Sequence, residues 1–499
     1  MARVPLLAGS RVLAVEVPKG AVVLRPPPPA QPLDDVTAAV RDALRFPLDG
    51  RPLAELVPRG GRATVVVEPA ALPLPGVVHD PRQAAIEATV DALAAAGVPV
   101  ERQTLLVTAG LARRAGRHEL ETLVLPDFAR RFRGRVCVHD AEDESLVELG
   151  RPNGGRLRAN RCLVDTDAVV SVTAAESVLH GGPATLLAGT GAETLRSASA
   201  FSLLETRASE AWRLGVELEH ALGERVALIG VSLALGNPTL TGALHGYPHD
   251  PAALEAAARL PFQRVFSRLP GALRTRLLGR IPRELRATDV FAGPPSVAHA
   301  EALLRAVAAR GARVPEPLDA ICIGIPDVSP YLPREPPNPL LAAYLGLGLA
   351  LRLWRDRPPV PEGGTAILVH RFRRRFPHPS QHPYRVFFQT VRDARDVEAL
   401  AEAESTAARD RRALAAYRDG RACHPLLPFA DWRACGPALS GLGSVLVAGC
   451  RDASAARALG FVPAQSLQAA LAMTRGLAEG AEPRIGFVPS PPYFPLLGP

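Results

Sequence analysis

Lysine is almost absent from this sequence. Lys19 is the one lysine among 58 Lys and Arg residues, and all the others are arginine. Arginine does not replace lysine as an amine nucleophile or as a Schiff-base former. Chemistry that needs a lysine side chain is therefore excluded everywhere except at residue 19.

Cysteines and long apolar runs are also scarce. The cysteines lie far apart without Cys-x-x-Cys spacing, which excludes a disulfide scaffold and a zinc ribbon and predicts buried thiols. No apolar run reaches the roughly 20 residues that a membrane span needs. The N-terminal apolar stretches are interrupted by Arg and Glu, unlike a signal peptide, so a cytoplasmic location is expected. The cysteines are Cys137, Cys162, Cys322, Cys423, Cys435 and Cys450.

Positive charge is concentrated in one segment. The net charge is +8, and residues 258–288 contain eight Arg against one Glu. The rest of the chain is close to neutral, so no nucleic-acid partner is predicted. Apolar residues recur in this segment at helical spacing, interrupted by Pro270 and Pro282. Two interpretations stay open: an inserted helical hairpin packed on a domain, or docking to an anionic membrane surface or an acidic partner.

Short apolar strands alternate with helices along the chain. ATVVVE (63–68), QTLLVTAG (103–110) and DAVVSVT (167–173) are strand-like, and PRQAAIEATVDALAAAG (81–97) is helical. Such alternation predicts an α/β fold whose mostly parallel sheets are covered on both faces.

The strand and helix pattern resumes after a Pro-rich and basic stretch. DAICIGIP (319–326) predicts a strand of a second sheet, and RVFFQTV (385–391) is interpreted as another. We therefore predict two α/β domains joined near residues 240–290. The first spans residues 1–287, with the basic insertion at about 240–287, and the second spans 288–499.

One loop has the form of a ligand site. ESVLHGGPATLLAG (176–189) follows the 167–173 strand and has the pair Gly181 and Gly182 in its turn. Backbone amides in such turns bind anions, and His180 beside the pair is a candidate binding residue. The alternative is that His180 merely caps the turn.

Two histidine clusters are weaker candidates. HPSQH (378–382) lies near His370 and a run of arginines, and HGYPHD (245–250) lies in a Gly/Pro loop. Histidines at such spacing can ligate a metal. The prolines and arginines instead favour a basic, anion-binding or solvated loop for the first cluster. A hydrogen-bonded loop is favoured for the second.

Several stretches in the expected order resemble the nickel-dependent lactate racemase family, from about residue 12 to the end. They are ALRFPLDGRPLAELVPRGGRATVVV (43–67), LLVTAGLARR (105–114), ELGRPNGGRLRANRCLVDTDAVVSV (148–172), ESVLHGGPATLLAG (176–189), VFAGPPSVAHAEALLRA (290–306) and VLVAGCRDASAARALGFVPAQSLQAALAMT (445–474). The resemblance implies two α/β domains over a cleft and a lysine-linked nickel pincer nucleotide with a histidine ligand. It also implies hydride transfer on lactate, with two histidines as acid and base and an arginine near the substrate.

The residues that the resemblance requires are replaced. Ala184 stands at the position of the cofactor lysine, and the histidine positions fall on Ala112, Ala174 and near Ser199. Arg113 of the turn is kept. The family's acid–arginine motif corresponds to EPAALPLP (68–75), in which Glu68 keeps an acid and the arginine is missing. The y-Q-x-x-K theme has no counterpart in residues 338–348.

These losses predict a divergent member without nickel-pincer hydride transfer and without a cofactor or metal. Candidate site residues are Glu68, Arg113 and His180, with Gly181 and Gly182 in the loop. The chain is then a non-catalytic homologue that binds a small molecule or anion in the cleft, or an enzyme with rebuilt chemistry there. The alternatives are a nickel-dependent 2-hydroxy acid racemase, which is an isomerase, and a docking protein acting through 258–288. The sequence does not name a substrate or an oligomeric state.

Overall fold

The computed structural model describes residues 3–74, 77, 79–116, 120, 122–151, 155–259, 263–328, 336–477 and 482–498. Strands and helices alternate through both halves of the chain. The strands are β1 Arg3–Ala8, β2 Arg11–Glu16, β3 Val22–Val23, β4 Ala63–Val67, β5 Gln103–Val107, β6 Arg135–Val138, β7 Val147–Gly150, β8 Leu157–Ala159, β9 Ala168–Ala174, β10 Ala227–Leu235, β11 Thr239–Leu240, β12 Arg283–Glu284, β13 Ala287–Gly293, β14 Ala312–Arg313, β15 Ala320–Gly324, β16 Trp354–Arg355, β17 Gly364–Val369, β18 Leu442–Ala448, β19 Val462–Ala464, β20 Ile485–Val488 and β21 Leu496–Leu497.

The helices cover both faces of the sheets formed by these strands. They are α1 Val36–Arg45, α2 Leu53–Leu56, α3 Pro81–Ala95, α4 Pro126–Arg131, α5 Pro183–Leu187, α6 Ala192–Ser197, α7 Glu210–Gly223, α8 Pro251–Ala258, α9 Gln263–Arg268, α10 Gly271–Leu278, α11 Pro295–Arg310, α12 Pro339–Ala343, α13 His382–Thr390, α14 Val397–Ala408, α15 Arg411–Arg418, α16 Leu427–Gly441, α17 Ala453–Ala458 and α18 Leu467–Leu477. A π-helical stretch, Tyr344–Leu349, follows α12.

The first sheet has the order β13-β10-β9-β4-β5-β6 within the described residues. All neighbours are parallel except β13, which runs antiparallel to β10 at the edge. Every residue of β4 and β9 is buried, because helices cover both faces of the sheet. Parallel central strands need this two-sided cover, and their uninterrupted apolar runs reflect it.

The second sheet has the order β19-β18-β17-β15-β20-β3, and its described strands are all parallel. The predicted α/β class with two mostly parallel sheets is therefore confirmed. At the carboxyl ends of its strands, the chain continues into the loops after β15, β17, β18 and β20. Ligands of open α/β sheets commonly bind at such edges.

Sheet membership does not follow the predicted division at residue 287. Strand β3 pairs with β20 of the second sheet, and the β1–β2 hairpin packs on the same sheet through Val4 and Leu6. Leu254 of α8, within the predicted insertion, belongs to this apolar cluster as well. The N-terminal hairpin thus serves the second half of the molecule. The division of the chain into domains stays a prediction.

The 385–391 stretch was assigned to the wrong element. It lies in α13, where Pro383 occupies the first turn and Tyr384 and Phe387 face the core three residues apart. This helical spacing competes with the β propensity of Val and Phe, and tertiary packing decides between them.

Among its described residues, the basic segment 258–288 contains two short helices, α9 and α10, separated at Pro270. The hairpin interpretation agrees with this break. The apolar stripe is only partly packed: Leu285 is buried, whereas the exposed fractions of Leu273 and Leu277 are 41% and 38%.

Candidate functional site

A cavity of about 470 Å³ lies between the two halves of the molecule. Apolar side chains form most of its walls, including Leu72 and Leu187 from the first half and Leu427 from the second. Polar groups also line it, among them Glu68, Thr108, Arg113, His180 and Asp431. Apolar walls with a few polar groups are typical of small-molecule sites.

Glu68 follows β4 directly, at the carboxyl edge of the first sheet. Thr185 Oγ1 donates a hydrogen bond to Glu68 Oε1 at 2.8 Å. Burial raises the pKa of Glu68 to about 7, the Thr185 hydrogen bond opposes this rise, and the nearby charge of Glu176 adds to it. Neutral and ionised forms of Glu68 therefore coexist near pH 7, the condition best suited to proton transfer or to pairing with a hydrogen-bond donor.

His180 stands beside Glu68, with 4.0 Å between His180 Nδ1 and Glu68 Oε2. Its side chain is 30% exposed. Burial lowers the pKa of His180, so the imidazole is favoured in its neutral form. The two side chains offer an acid and a neutral base on one wall of the cavity.

The glycine pair of the loop has a packing reason. Gly181 and Gly182 have φ angles of +96° and +54°, in the left-handed region. A Cβ on Gly181 would lie 2.0 Å from His299 Cε1, and a Cβ on Gly182 would lie 2.4 Å from His299 Cβ. The loop therefore needs two glycines to pass under His299 of α11, whether or not it holds a ligand.

His299 is itself locked in the interior. Its Nε2 donates to the Ser177 carbonyl at 3.0 Å, which leaves Nδ1 to accept from Ser232 Oγ at 3.0 Å. Burial lowers the pKa of His299 to about 4, so the ring is neutral. Its role is to join the loop to β10, and it does not face the cavity lining.

A buried ion network supports the Glu68 wall. Arg82 binds both carboxylate oxygens of Asp80 through Nε at 3.0 Å and donates from Nη1 to Glu176 Oε2 at 3.2 Å. The Ala71 amide donates to the same Glu176 oxygen at 2.8 Å. Asp80 caps α3 and precedes Pro81, so the helix start places Arg82 toward the sheet edge. Arg82 therefore pairs with two carboxylates, and its positive charge is neutralised within the fold.

The structure brings together only part of the predicted set. Glu68, Arg113 and His180 line the cavity, as do Ala112 and Ala184 at two of the positions where the resemblance requires His and Lys. Arg113 Nη1 donates to the Gly420 carbonyl at 3.2 Å, linking the two halves.

The two other histidine positions lie apart from the cavity lining. Ala174 is buried at the end of β9, and the Ser199 carbonyl accepts the Ala211 amide at 3.0 Å beside α7.

The histidine clusters have structural roles. His378 Nδ1 accepts the Ser380 amide at 3.2 Å, and His382 begins α13. In the other cluster, the His249 carbonyl accepts from Arg25 and Asp250 caps α8. No group of three or more His, Cys, Asp or Glu side chains is placed to hold a metal ion in the part of the chain that the structure describes.

Residues 8–182 match the sequence model of the lactate racemase N-terminal domain. Over this stretch the chain is similar to the lactate racemase family. Its fold is similar to that of the lactate racemase apoprotein from Thermoanaerobacterium thermosaccharolyticum, with a TM-score of 0.61, 14% identity, and coverage of 99% of this chain and 100% of that one. A structural genomics target from Thermotoga maritima is also similar, with a TM-score of 0.52, 12% identity and coverage of 94% and 100%. No curated protein matches the chain.

The residues of this lactate racemase-like cavity do not fit a lysine-linked nickel pincer. Ala184 and Ala112 present methyl groups to the cavity, and its lining contains no lysine and no cysteine. Among the lining residues that the structure describes, His180 is the one histidine, and its Nδ1 lies 4.0 Å from Glu68 Oε2. A lysine-linked cofactor needs an amine as its attachment point, and the methyl group of Ala184 does not supply one.

Several residues of this site were missed by sequence reasoning. Arg82 occupies the second position of a helix and reads as a solvated charge. Its signal was the Asp-Pro-Arg start, in which the N-cap carboxylate lies two residues before the arginine. Glu176 is the first residue of the 176–189 loop, and no local pattern marks it as a partner of Arg82. Asp431 accepts from Tyr384 Oη at 2.6 Å across two helices, a pairing that has no local pattern.

A last observation concerns membranes. None of the described helices is both long and apolar enough to cross a bilayer.

Proposed function

We propose that this lactate racemase-like protein binds a small molecule in the cavity between its halves and does not carry out nickel-pincer hydride transfer. The proposal rests on which residues line the cavity. Ala112 and Ala184 stand where the chemistry of the family needs a histidine and a lysine, while Glu68 and His180 form a polar wall beside them.

The chemistry of the wall indicates the kind of ligand. A cavity of about 470 Å³ accommodates a molecule of fragment size. Its apolar surface favours a short aliphatic or aromatic group. The Glu68 carboxyl and the neutral His180 ring favour one hydrogen-bonding group on that ligand. Arg113 adds a guanidinium at the lining, so a monocarboxylate or its amide are both suitable probes.

The proposal is tested by thermal unfolding with C3 to C8 monocarboxylates and their primary amides. Ligands that bind only the native state raise the melting temperature. We expect at least one chain length to stabilise the wild type and not Ala112→Phe, whose ring fills the cavity. Ala401→Phe, on an exposed face of α14, is the matched control and should respond like the wild type. Absence of any stabilisation, or equal stabilisation in Ala112→Phe, would refute the proposal.

Rebuilt chemistry in the same cavity is measured alongside. Incubation with D-lactate and L-lactate, followed by chiral chromatography, should show no interconversion above the Ala112→Phe background. Interconversion that Glu68→Gln abolishes would instead support an enzyme with Glu68 as its proton carrier. The cytoplasmic location stays a prediction.

A second candidate function has its own observation. The insertion presents exposed Leu273 and Leu277 beside the exposed arginines Arg268, Arg276 and Arg280. Apolar residues flanked by arginine are suited to the surface of an anionic bilayer. On this reading, α9 and α10 dock the protein onto such a membrane.

Co-sedimentation with vesicles tests the docking. We expect binding to vesicles that contain phosphatidylserine and none to pure phosphatidylcholine. Arg268/Arg276/Arg280→Glu should lose that binding. Arg392/Arg411/Arg412→Glu makes the same charge change on exposed positions elsewhere and should keep it. Equal binding by both triple variants, or none by the wild type, would remove this candidate.

A further inference from the structure

A second polar cluster lies at the carboxyl edge of the second sheet, away from the cavity lining. Strands β17 and β18 are neighbours, and Val369 is in register with Ala448 at their ends. The chain then continues into Arg371 and Arg451, whose backbones are joined by a hydrogen bond of 2.8 Å from the Arg451 amide to the Arg371 carbonyl. Two arginines on adjacent strand ends are thereby held side by side.

The N-terminal hairpin brings a third arginine to this edge. Gly9 at its turn has φ +65° and donates its amide to the Ile325 carbonyl at 2.8 Å, just after β15. This bond docks the hairpin turn on the strand end and places Arg11 next to it. The Nε atom of Arg11 is buried and has no hydrogen-bond partner in the described structure. An orphaned guanidinium donor inside a cluster of arginines costs free energy unless a ligand satisfies it.

The basic insertion supplies a fourth arginine to this edge of the sheet. Arg274 of α10 is buried, and its Nε lies 3.4 Å from Ser10 Oγ, beside Arg11. Its Nη1 donates to the carbonyls of Ser267 and Leu269, which fix its position.

Phe372, whose backbone is strained, orients a fifth arginine, Arg373. Phe372 is fully buried and has φ +39°, in a region that side-chain-bearing residues rarely adopt. Its ring is anchored against Phe461 with 6.2 Å between ring centroids. Because Phe372 points into the core in this conformation, Arg371 and Arg373 on either side of it stay half exposed. Strain that is kept by packing is characteristic of functional sites.

These arginines repel one another, and nearby carboxylates compensate little of that repulsion. The pKa of Arg371 is lowered to about 10 by burial and by the charges of Arg373, Arg11, Arg451 and Arg274. Among the described residues, the carboxylate facing this group is Asp327, which acts on Arg274. Asp452, the other carboxylate at this edge, is bound by Arg374 at 2.9 Å.

We infer that Arg11, Arg274, Arg371, Arg373 and Arg451 form a binding site for a phosphate or phosphomonoester group, separate from the cavity. Arginine presents a fork of donors that matches the oxygens of phosphate. The site lies at the carboxyl ends of β17 and β18, the edge of an open α/β sheet at which ligands commonly bind.

The inference is tested by calorimetric titration of the full chain with inorganic phosphate in a buffer free of phosphate and sulfate. Parallel titrations with adenosine monophosphate and with lactate separate the sources of the anion. Tighter binding of the nucleotide would identify a phosphorylated metabolite, and equal binding would identify free phosphate. Both results support the site. Lactate, a monoanion, should bind at least about tenfold more weakly.

Single substitutions localise the binding. Arg371→Gln and Arg451→Gln should each weaken phosphate binding by about tenfold or more, since each removes a charge-assisted contact. Arg451 is exposed, so its variant should fold even if the half-buried Arg371→Gln does not. Arg412→Gln, exposed on α15, removes the same charge elsewhere and should bind like the wild type. Ala112→Phe should also bind phosphate normally, because the cavity is a separate site. No saturable phosphate binding, or equal affinity in Arg451→Gln and Arg412→Gln, would overturn the inference.

Discussion

Two polar clusters occupy the carboxyl edges of the two parallel sheets, and they differ in how fully carboxylates pair with their arginines. At the first sheet, Arg82 is enclosed and bound by Asp80 and Glu176. At the second sheet, Arg11, Arg371 and their neighbours face one another with few carboxylates. The first arrangement is internally balanced and stabilises a cavity wall. The second leaves positive charge available for a ligand.

The contrast shows why a cation in a cleft does not by itself predict an anion site. Arg82 lies close to Glu68 and the cavity, yet both of its carboxylate partners are already in place. The arginines of the second edge lie in turns and in an insertion. Their repulsion is tolerated because each is fixed through its backbone or by packing.

The largest expected effect breaks the first cluster. Arg82→Leu should lower the free energy of unfolding by about 3–5 kcal/mol, because the buried Glu176 and the partly buried Asp80 lose their cation. Urea denaturation monitored by circular dichroism measures this change. Arg305→Leu is the control, since it breaks an exposed pair with Glu301 and should change stability little. If Arg82→Leu lost no more stability than Arg305→Leu, the pairing of Arg82 with its two carboxylates would not stabilise the fold.

The second prediction concerns the pH dependence of the Glu68 wall. The pKa of Glu68 is raised from 4.5 to about 7, so folding favours its neutral form. This contribution is fully present below pH 4.5 and is lost as pH rises through about 7. Relative to the wild type, Glu68→Gln should therefore gain stability across that window, by up to about 3 kcal/mol. Urea midpoints at several pH values report it. Glu402→Gln, at an exposed position, should not gain in this way.

The third prediction separates packing from backbone strain in the glycine pair. Gly181→Ala introduces a Cβ against His299, whereas Gly20→Ala has a similar positive φ and nothing within 4 Å. Gly181→Ala should therefore be less stable than Gly20→Ala by about 1–3 kcal/mol. Thermal unfolding compares the two variants. Equal destabilisation would show that His299 yields, and that the loop keeps its glycines for another reason.

The smallest expected change in the free energy of unfolding concerns the second cluster, and it should not be a loss like that of Arg82→Leu. Arg371→Gln removes one member of a repelling group, so its free energy of unfolding should stay within about 1 kcal/mol of the wild type or rise. Raising the salt concentration should diminish any gain, because exposed charges are screened. A loss of stability as large as that of Arg82→Leu would show that the arginines of the second cluster stabilise the fold and are not held available for a ligand.

Sequence reasoning succeeded where a signal is local. The apolar runs of β4 and β9 predicted buried parallel strands, and the resemblance along the chain predicted the two-sheet α/β fold. Glu68, Arg113 and His180 line one cavity, and their role as site residues stays a prediction. It failed where pairing is distant: Arg82 with Glu176, and the hairpin turn with the end of β15, are joined only by the fold.

One prediction was wrong for a physical reason, and another was left open. The 385–391 stretch has β-branched and aromatic residues, but a proline at its helix start and a buried helical face override their propensity. In the insertion, the spacing of apolar residues was read correctly as helical, whereas periodicity does not reveal whether a stripe has a surface to pack against. Leu273 and Leu277 stay exposed.

The central claim is that the cavity has lost its nickel chemistry, and one measurement tests it most directly. The chain is produced together with the enzymes that synthesise the nickel pincer nucleotide, and then analysed by intact mass and by metal content. We predict the unmodified mass and no stoichiometric nickel, because Ala184 offers no amine. A covalent adduct with one nickel per chain would contradict the account and restore the racemase assignment.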